Sequence, residues 1–199
     1  MIKSLSKIIA NRLSNKSEIK ELYQYAFYII LLSLLHIITL VIIGIILGLV
    51  YESIVMYFSF ILIRKFSGGF HASTPIRCYI FSVILIISFL LLQIQYYANF
   101  NFIHNIALLI IEILCVIIIF RYAPLENENN PLTRNEKQKY GFIAKTNTII
   151  LLTFSIFFLM FMQRFYCPTV MGIIMSAIVL LMQKIKNTKG RLRRDKKTN

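Results

Sequence analysis

The chain has 199 residues, of which 58% are hydrophobic and only 15% are charged, and its mean hydropathy is +0.72. Soluble domains contain about 45–50% apolar and about 25% charged residues, so this composition excludes a water-soluble fold. The formal net charge is +14, from 22 Lys and Arg against 8 Asp and Glu. In a soluble protein such an excess would suggest nucleic acid as a partner, whereas in a membrane protein it first reports topology.

Apolar segments separated by polar residues follow one another along the chain. They are residues 26–50, 53–63, 79–98, 102–120, 142–162 and 165–183. A helix needs about 20 apolar residues to cross a hydrocarbon core of about 30 Å, so the second segment is short and is expected to tilt or to cross only in part. The pattern predicts a single domain over residues 1–199, an all-α polytopic membrane protein with about six transmembrane helices.

The basic residues divide unevenly among the segments that connect the apolar runs. When alternate connections are assigned to the same face, all of the 22 except Arg164 lie on one face. Lys and Arg resist translocation, so this distribution predicts six crossings with both termini in the cytoplasm. An odd number of crossings would place the basic tail opposite the basic N-terminus.

Both ends of the chain are basic. In residues 1–22, apolar side chains recur at helical spacing among lysines, which predicts an amphipathic helix on the anionic leaflet, although a frayed basic leader also fits. Residues 184–199 form a basic cytoplasmic tail with eight Lys and Arg. These ends predict anionic membrane lipids as partners, and nucleic acid is not expected.

The connection at residues 64–78 carries the residues best suited to catalysis. His71 and Cys78 lie seven positions apart. A cysteine becomes a strong nucleophile when it loses its proton, and a neighbouring imidazole with a basic surround stabilises the thiolate. Arg64, Lys65 and Arg77 supply that positive surround.

Seven residues of unbroken helix would place His71 and Cys78 about 10 Å apart along the axis, too far for a hydrogen bond. Gly68 and Gly69 allow unusual backbone conformations, and Pro75 interrupts a helix between the two residues, so the segment is able to fold back. An ordinary cytoplasmic turn with an incidental His and Cys fits the same residues.

Other polar residues within the apolar runs have less specific interpretations. Cys115 and Cys167 are interpreted as small hydrophobic residues of the core, and His36 and Gln93 as packing residues. Glu112 is interpreted equally as structural or functional, because a charged carboxylate facing lipid is costly. Three scattered cysteines without a CxxC or HExxH pattern predict neither a metal site nor a cofactor.

These residues together resemble the accessory gene regulator protein B family of membrane peptidases from Gram-positive bacteria. The resemblance covers essentially the whole chain. It is carried by these features: the basic pair Arg64-Lys65, the run Gly69-Phe70-His71-Ala72, Cys78, the turn Tyr122-Ala123-Pro124, Pro131 and a basic stretch ending at Tyr140. Relatives tend to have a Lys-rich loop after that turn, whereas residues 125–130 here read LENENN.

The resemblance implies a cysteine endopeptidase of the bacterial plasma membrane, which removes the C-terminal part of an autoinducing propeptide. His71 and Cys78 match the catalytic pair, and a thioester on Cys78 would lead to a cyclic thiolactone or lactone for quorum sensing. The other implied or supporting residues are Arg64, Lys65, Gly68, Gly69, Arg77, Arg134, Lys137 and Lys139. The resemblance also implies a homodimer.

Two other function classes fit the composition. A multi-span peptide exporter would use the basic loops to recruit a peptide and Glu112 to line its path. A membrane scaffold without covalent chemistry would leave the clustering of His71, Cys78 and the glycines unexplained.

Overall fold

The computed structural model describes residues 17–69, 74–99, 101–126 and 132–198. Within these ranges the chain forms six helices, α1 (Ser17–Leu47), α2 (Val50–Ser67), α3 (Pro75–Ala98), α4 (Phe102–Tyr122), α5 (Arg134–Phe161) and α6 (Gln163–Thr198). The predicted all-α fold class is therefore confirmed. Most of the amphipathic helix predicted for residues 1–22 lies outside the described residues, as do His71 and Pro131, and residues 17–22 begin α1.

Contacts at the helix ends show that consecutive helices run in opposite directions. At one end, Glu52 near the start of α2 pairs with Arg164 at the start of α6, and the Tyr97 hydroxyl donates to the Arg164 carbonyl at 2.7 Å. At the other end, Gly68 after α2 meets Leu125 after α4. We call these the Arg164 end and the Cys78 end of the bundle.

Five of the helices have the length and composition needed to cross a membrane. They are residues 26–47 of α1, 76–98 of α3, 102–122 of α4, 134–161 of α5 and 163–189 of α6. The shorter α2 carries charged residues near both of its ends, which sets it apart from the other five. Its 18 residues nevertheless extend over about 27 Å and connect the two ends of the bundle.

The helices are longer than the apolar segments that predicted them. Hydropathy marks the apolar part of a helix, whereas its ends depend on capping. Thr133 and Glu136 form a capping box that begins α5 eight residues before the predicted segment, and Pro75 occupies the first turn of α3. Likewise, α2 extends beyond residues 53–63, and α6 continues through the basic tail.

Helix α6 is the central element, buried over most of its span, while the other four apolar helices expose most of theirs. It packs against α2, α4 and α5. Gly172 allows the closest approach, because a Cβ there would lie 2.6 Å from the Met56 carbonyl oxygen. Large apolar side chains such as Ile46, Ile84 and Phe161 point outward, as expected for surfaces that face lipid.

Buried residues form two apolar clusters along the bundle. One extends from the Arg164 end to the middle and includes Met56, Leu90 and Tyr166, and the other lies towards the Cys78 end and includes Ile63 and Leu180. Cys167 belongs to the first cluster and Cys115 to the second. Both thiols are buried apolar groups, as predicted.

Buried polar side chains make contacts between helices. Gln93 on α3 donates to the Met56 sulfur at 3.1 Å, and Glu112 on α4 accepts a hydrogen bond from Ser155 on α5. The predicted packing role of Gln93 is consistent with this contact. The Glu112 carboxyl group therefore faces a neighbouring helix.

Candidate active site at the Cys78 end

Cys78 lies in the first turn of α3 and is half-buried. Thr74 caps the helix by accepting a hydrogen bond from the Arg77 amide at 3.4 Å, and Pro75 follows as the first helical residue. The Cys78 amide donates to the Thr74 carbonyl at 3.1 Å. The helix dipole places partial positive charge at this end, which favours the thiolate form of a cysteine. The proline predicted to interrupt a helix therefore begins one.

Arg64, which follows the apolar part of α2, supplies a positive charge close to this cysteine. Its guanidinium interacts electrostatically with Cys78, although the two residues lie on different helices. Burial lowers the pKa of Arg64 to about 10, and the charge of Cys78 opposes that effect. Arg64 is therefore still protonated at neutral pH, and it places a positive charge in the surroundings of Cys78.

The glycine turn after α2 is fixed by two close approaches. A Cβ on Gly69 would overlap the Arg64 guanidinium and would lie 3.0 Å from Cγ1 of Val179 on α6. A Cβ on Gly68 would strike the Leu125 carbonyl oxygen. The φ angles of Gly68 and Gly69 are +72° and +141°, in the region that favours glycine. Both glycines are thus required by the backbone and by the space around it.

The segment that follows α4 holds the glycine turn in place. The Leu125 amide donates to the Ser67 carbonyl at 3.0 Å, and Leu125 forms an isolated parallel bridge with Gly68. Pro124 packs against α5, where a Cβ on Gly141 would lie 3.0 Å from the proline Cδ. The Tyr122-Ala123-Pro124 turn therefore directs the next residue onto the segment that leads to His71.

Helix α6 also contacts this segment. The Lys184 ammonium lies 3.4 Å from the centre of the Tyr122 ring, in a cation–π contact. One turn further along, the Asn187 side chain donates to the Glu126 carbonyl at 3.0 Å. The first residues of the predicted basic tail are thus part of the folded bundle at the Cys78 end.

The structure brings together some of the predicted site residues. Arg64, Gly68, Gly69 and Cys78 lie within one region, while Lys65 and Arg77 have exposed side chains. Exposed side chains in the first two turns of α5, at the same end of the bundle, are those of Arg134, Lys137 and Lys139. His71 lies outside the described residues, two positions beyond Gly69.

Sequence reasoning did not include Ser67, Leu125, Val179 and Asn187 among the site residues. Ser67 and Leu125 pair through backbone atoms, Val179 makes a close apolar contact, and Asn187 donates its side-chain amide to a backbone carbonyl. None of these contacts has a sequence signature. Pro124 and Gly141 are the partial exception, because proline and glycine mark positions of unusual backbone or close packing.

The model of the family described as Accessory gene regulator B matches residues 2–182. The chain belongs to this family. The resemblance inferred from the sequence is therefore confirmed, together with a coarse function in accessory gene regulation.

Proteins similar to this chain are found in Clostridium and Staphylococcus. "Putative AgrB-like protein 2" of Clostridium perfringens is 29% identical over 145 residues, 70% of this chain and 68% of the relative. "Putative AgrB-like protein 1" of the same species is 25% identical over 186 residues, 93% of this chain and 96% of the relative. "Accessory gene regulator protein B" of Staphylococcus aureus is 32% identical over 125 residues, 62% of each chain. No solved structure matches the chain.

Proposed function

We propose that the protein is a membrane-embedded cysteine endopeptidase, in which Cys78 attacks a small autoinducing propeptide and His71 is the general base and acid. The observation that carries the proposal is the environment of Cys78. This half-buried thiol lies at a helix N-terminus and in the field of Arg64, whereas Cys115 and Cys167 are buried in the core. A helix N-terminus and a neighbouring cation are features of sites that use cysteine as a nucleophile.

The reaction proceeds through two acyl transfers. His71 takes the proton of Cys78, and the thiolate attacks the scissile carbonyl. His71 then returns the proton to the leaving amine, so the C-terminal fragment departs and the N-terminal fragment remains as a thioester on Cys78. An internal Cys or Ser of the peptide attacks this thioester, which releases a thiolactone or lactone ring and regenerates the Cys78 thiol.

Ring closure must compete with hydrolysis of the thioester. A site at the membrane boundary limits the access of water and holds the internal nucleophile near the acyl carbon, and both effects favour cyclisation. Because a thioester is less stable than the amide that it replaces, removal of the products draws the reaction forward.

Exposed basic side chains at the start of α5 are suited to an acidic part of the propeptide. Lys137 already contacts Glu126, with its ammonium 3.0 Å from the carboxylate, and both side chains are exposed. An acidic peptide would compete with Glu126 for Lys137, while Arg134 and Lys139 add to the attraction. The ion pair between Lys137 and Glu126 neutralises part of the negative charge of residues 125–130.

The catalytic end is assigned to the cytoplasm of a bacterial plasma membrane. The alternating helices support this orientation, since Arg164 is the one basic residue assigned to the opposite face. Exposed Lys186 and Lys189 near the end of the membrane span are positioned for anionic lipid headgroups. Pairing as a homodimer is proposed from the family resemblance alone.

A cleavage assay with matched cysteine variants tests the proposal. Synthetic propeptides from bacteria that carry members of this family are incubated with the full chain in proteoliposomes, and the fragments are measured by mass spectrometry. Cys78→Ala and His71→Ala are expected to abolish cleavage, whereas Cys115→Ala should cleave at close to the wild-type rate. Cleavage by Cys78→Ala would refute the assignment of the nucleophile, and peptide movement without cleavage would favour an exporter.

A further inference from the structure

The start of α3, which carries Cys78, has both exposed and half-buried side chains. Ile76, Arg77 and Ile80 in its first two turns have exposed side chains. Further along α3, Ile86, Leu90 and Gln93 are fully buried at helical spacing and define the face that packs into the bundle. Seven residues before Ile86, Tyr79 occupies the same face at the Cys78 end and is half-buried.

Tyr79 is joined to α1 by a hydrogen bond whose direction is determined. Thr39 on α1 donates its single hydroxyl hydrogen to the Leu35 carbonyl at 2.8 Å. The Tyr79 hydroxyl is therefore the donor in the 2.7 Å contact with the Thr39 hydroxyl oxygen. This bond connects the first turn of α3 to α1 across 40 positions of sequence.

His36 supports the same contact from the adjacent turn of α1. Its ring packs edge-on against Tyr79, with 4.8 Å between the ring centroids and an angle of 68° between the planes. The His36 Nδ1 lies 2.8 Å from the Leu32 carbonyl, so this nitrogen carries the hydrogen and donates it. The imidazole is thus held against its own helix by this hydrogen bond, and it packs against the Tyr79 ring.

Cys78 and Tyr79 are separated by about 100° around the helix axis. A rotation of the first turn that carried the Tyr79 hydroxyl away from Thr39 would therefore turn the Cys78 sulfur by the same angle. That rotation would alter the position of the sulfur relative to Arg64 on α2, the nearby positive charge at this site.

We propose that Tyr79 is a positioning residue, which holds the Cys78 sulfur within the field of Arg64 through its hydrogen bond to Thr39. This inference rests on the proposed function of Cys78 as nucleophile. Tyr79 itself need not touch the substrate or the reacting atoms, because its effect passes through the orientation of the helix turn.

The test uses Tyr79→Phe and Thr39→Val in the full chain in proteoliposomes. Iodoacetamide serves as the probe, and mass spectrometry of the digested protein measures the rate at which Cys78 is alkylated. Each variant is expected to slow alkylation by about fivefold, which is the size of effect that one net hydrogen bond supports. The double variant should be no slower than either single variant, because both remove the same bond.

Control variants separate this effect from a general loss of packing. Thr153→Val removes a hydroxyl that, among the described residues, bonds to the Ile149 carbonyl of its own helix, and Tyr51→Phe removes one at the Arg164 end. Both should be alkylated at the wild-type rate. Thr39→Ser keeps the hydroxyl oxygen that accepts from Tyr79, so Cys78 in this variant should also be alkylated at the wild-type rate. Slow alkylation in Thr39→Val together with a wild-type rate in Thr39→Ser would attribute the effect to the hydroxyl.

Peptide cleavage provides a second readout. Tyr79→Phe is expected to lower kcat about fivefold with KM unchanged, because the orientation of the nucleophile affects the chemical step. Wild-type alkylation rates in both Tyr79→Phe and Thr39→Val would overturn the proposal, as would a change in KM alone. Alkylation needs no substrate, so this result is independent of whether Cys78→Ala abolishes cleavage, which tests the proposed function itself.

Discussion

Gly69 lies against the guanidinium of Arg64 with a φ of +141°, so this residue meets both a steric and a conformational constraint. The side chain that would strain the backbone would also displace the guanidinium of Arg64, which interacts electrostatically with the proposed nucleophile. Gly69 also precedes His71 by two residues along the chain. One glycine therefore links the base and the positive charge of the proposed site.

Gly69→Ala tests this constraint against a matched glycine. The variant should lose at least about tenfold in cleavage rate, because the new Cβ displaces Arg64. Backbone strain should lower the free energy of unfolding by about 1–3 kcal/mol. Gly48→Ala, at a φ of +69° with no atom within 4 Å of the new Cβ, should show strain without loss of activity. Equal cleavage rates in the two variants, measured in proteoliposomes, would contradict the role of Gly69.

At the scale of elements, α2 and α6 form the axis of the molecule. Gly172 allows their backbones to approach, and the Ser176 hydroxyl on α6 is shared between the Gly172 carbonyl at 2.9 Å and the Phe60 carbonyl on α2 at 3.3 Å. The Arg164 end is closed by the ion pair between Glu52, which is buried, and Arg164, which is exposed. A cavity of about 390 Å³ lies beside this pair.

Removing one member of this pair should destabilise the bundle more than removing both charges. Arg164→Ala leaves the buried Glu52 carboxylate without its cation. The thermal unfolding temperature of this variant in detergent should therefore fall clearly below that of the wild type. Adding Glu52→Gln should recover part of the loss, because a neutral amide is less costly to bury than a carboxylate. A double variant that unfolds at a lower temperature than Arg164→Ala would contradict this account.

The sequence was most informative where a residue type restricts the backbone conformation or disfavours contact with water. Gly68 and Gly69 marked the turn at the proposed site, and the apolar runs marked the helices, whereas Pro75, predicted to interrupt a helix, begins α3. The full length of α2 escaped prediction, because its serines and its charged residues interrupt the apolar pattern. Burial between neighbouring helices accommodates these serines, and such burial depends on tertiary packing.

Contacts between distant segments were the other part that the sequence did not predict. The pairing of Leu125 with the Ser67–Gly69 turn uses backbone atoms, which every residue carries. The bond between Thr39 and Tyr79 joins two common residue types on separate helices. Neither contact produces a periodic pattern or a motif along the chain.

At the scale of the whole molecule, the assigned orientation requires an even number of crossings. In a Cys78→Ala background, a single cysteine is introduced at Asn101 or at Lys189 of the intact chain in cells. Asn101→Cys, between α3 and α4, should react with an impermeant maleimide from outside, because this turn lies at the Arg164 end. Lys189→Cys should react only after permeabilisation. Equal labelling of Lys189→Cys in intact cells would contradict the assigned orientation.

In the proposed mechanism Cys78 forms a covalent intermediate, which intact mass measurement detects. Full-length protein in proteoliposomes is mixed with a propeptide, quenched with acid after short intervals and analysed whole. We expect a mass increase equal to the N-terminal fragment as an acyl group, which is its free-acid mass less one water. The adduct should lie on Cys78, be removed by neutral hydroxylamine and be missing from Cys78→Ala. Propeptide cleavage without any such adduct at the earliest intervals, or an adduct on Cys115 or Cys167, would contradict this mechanism.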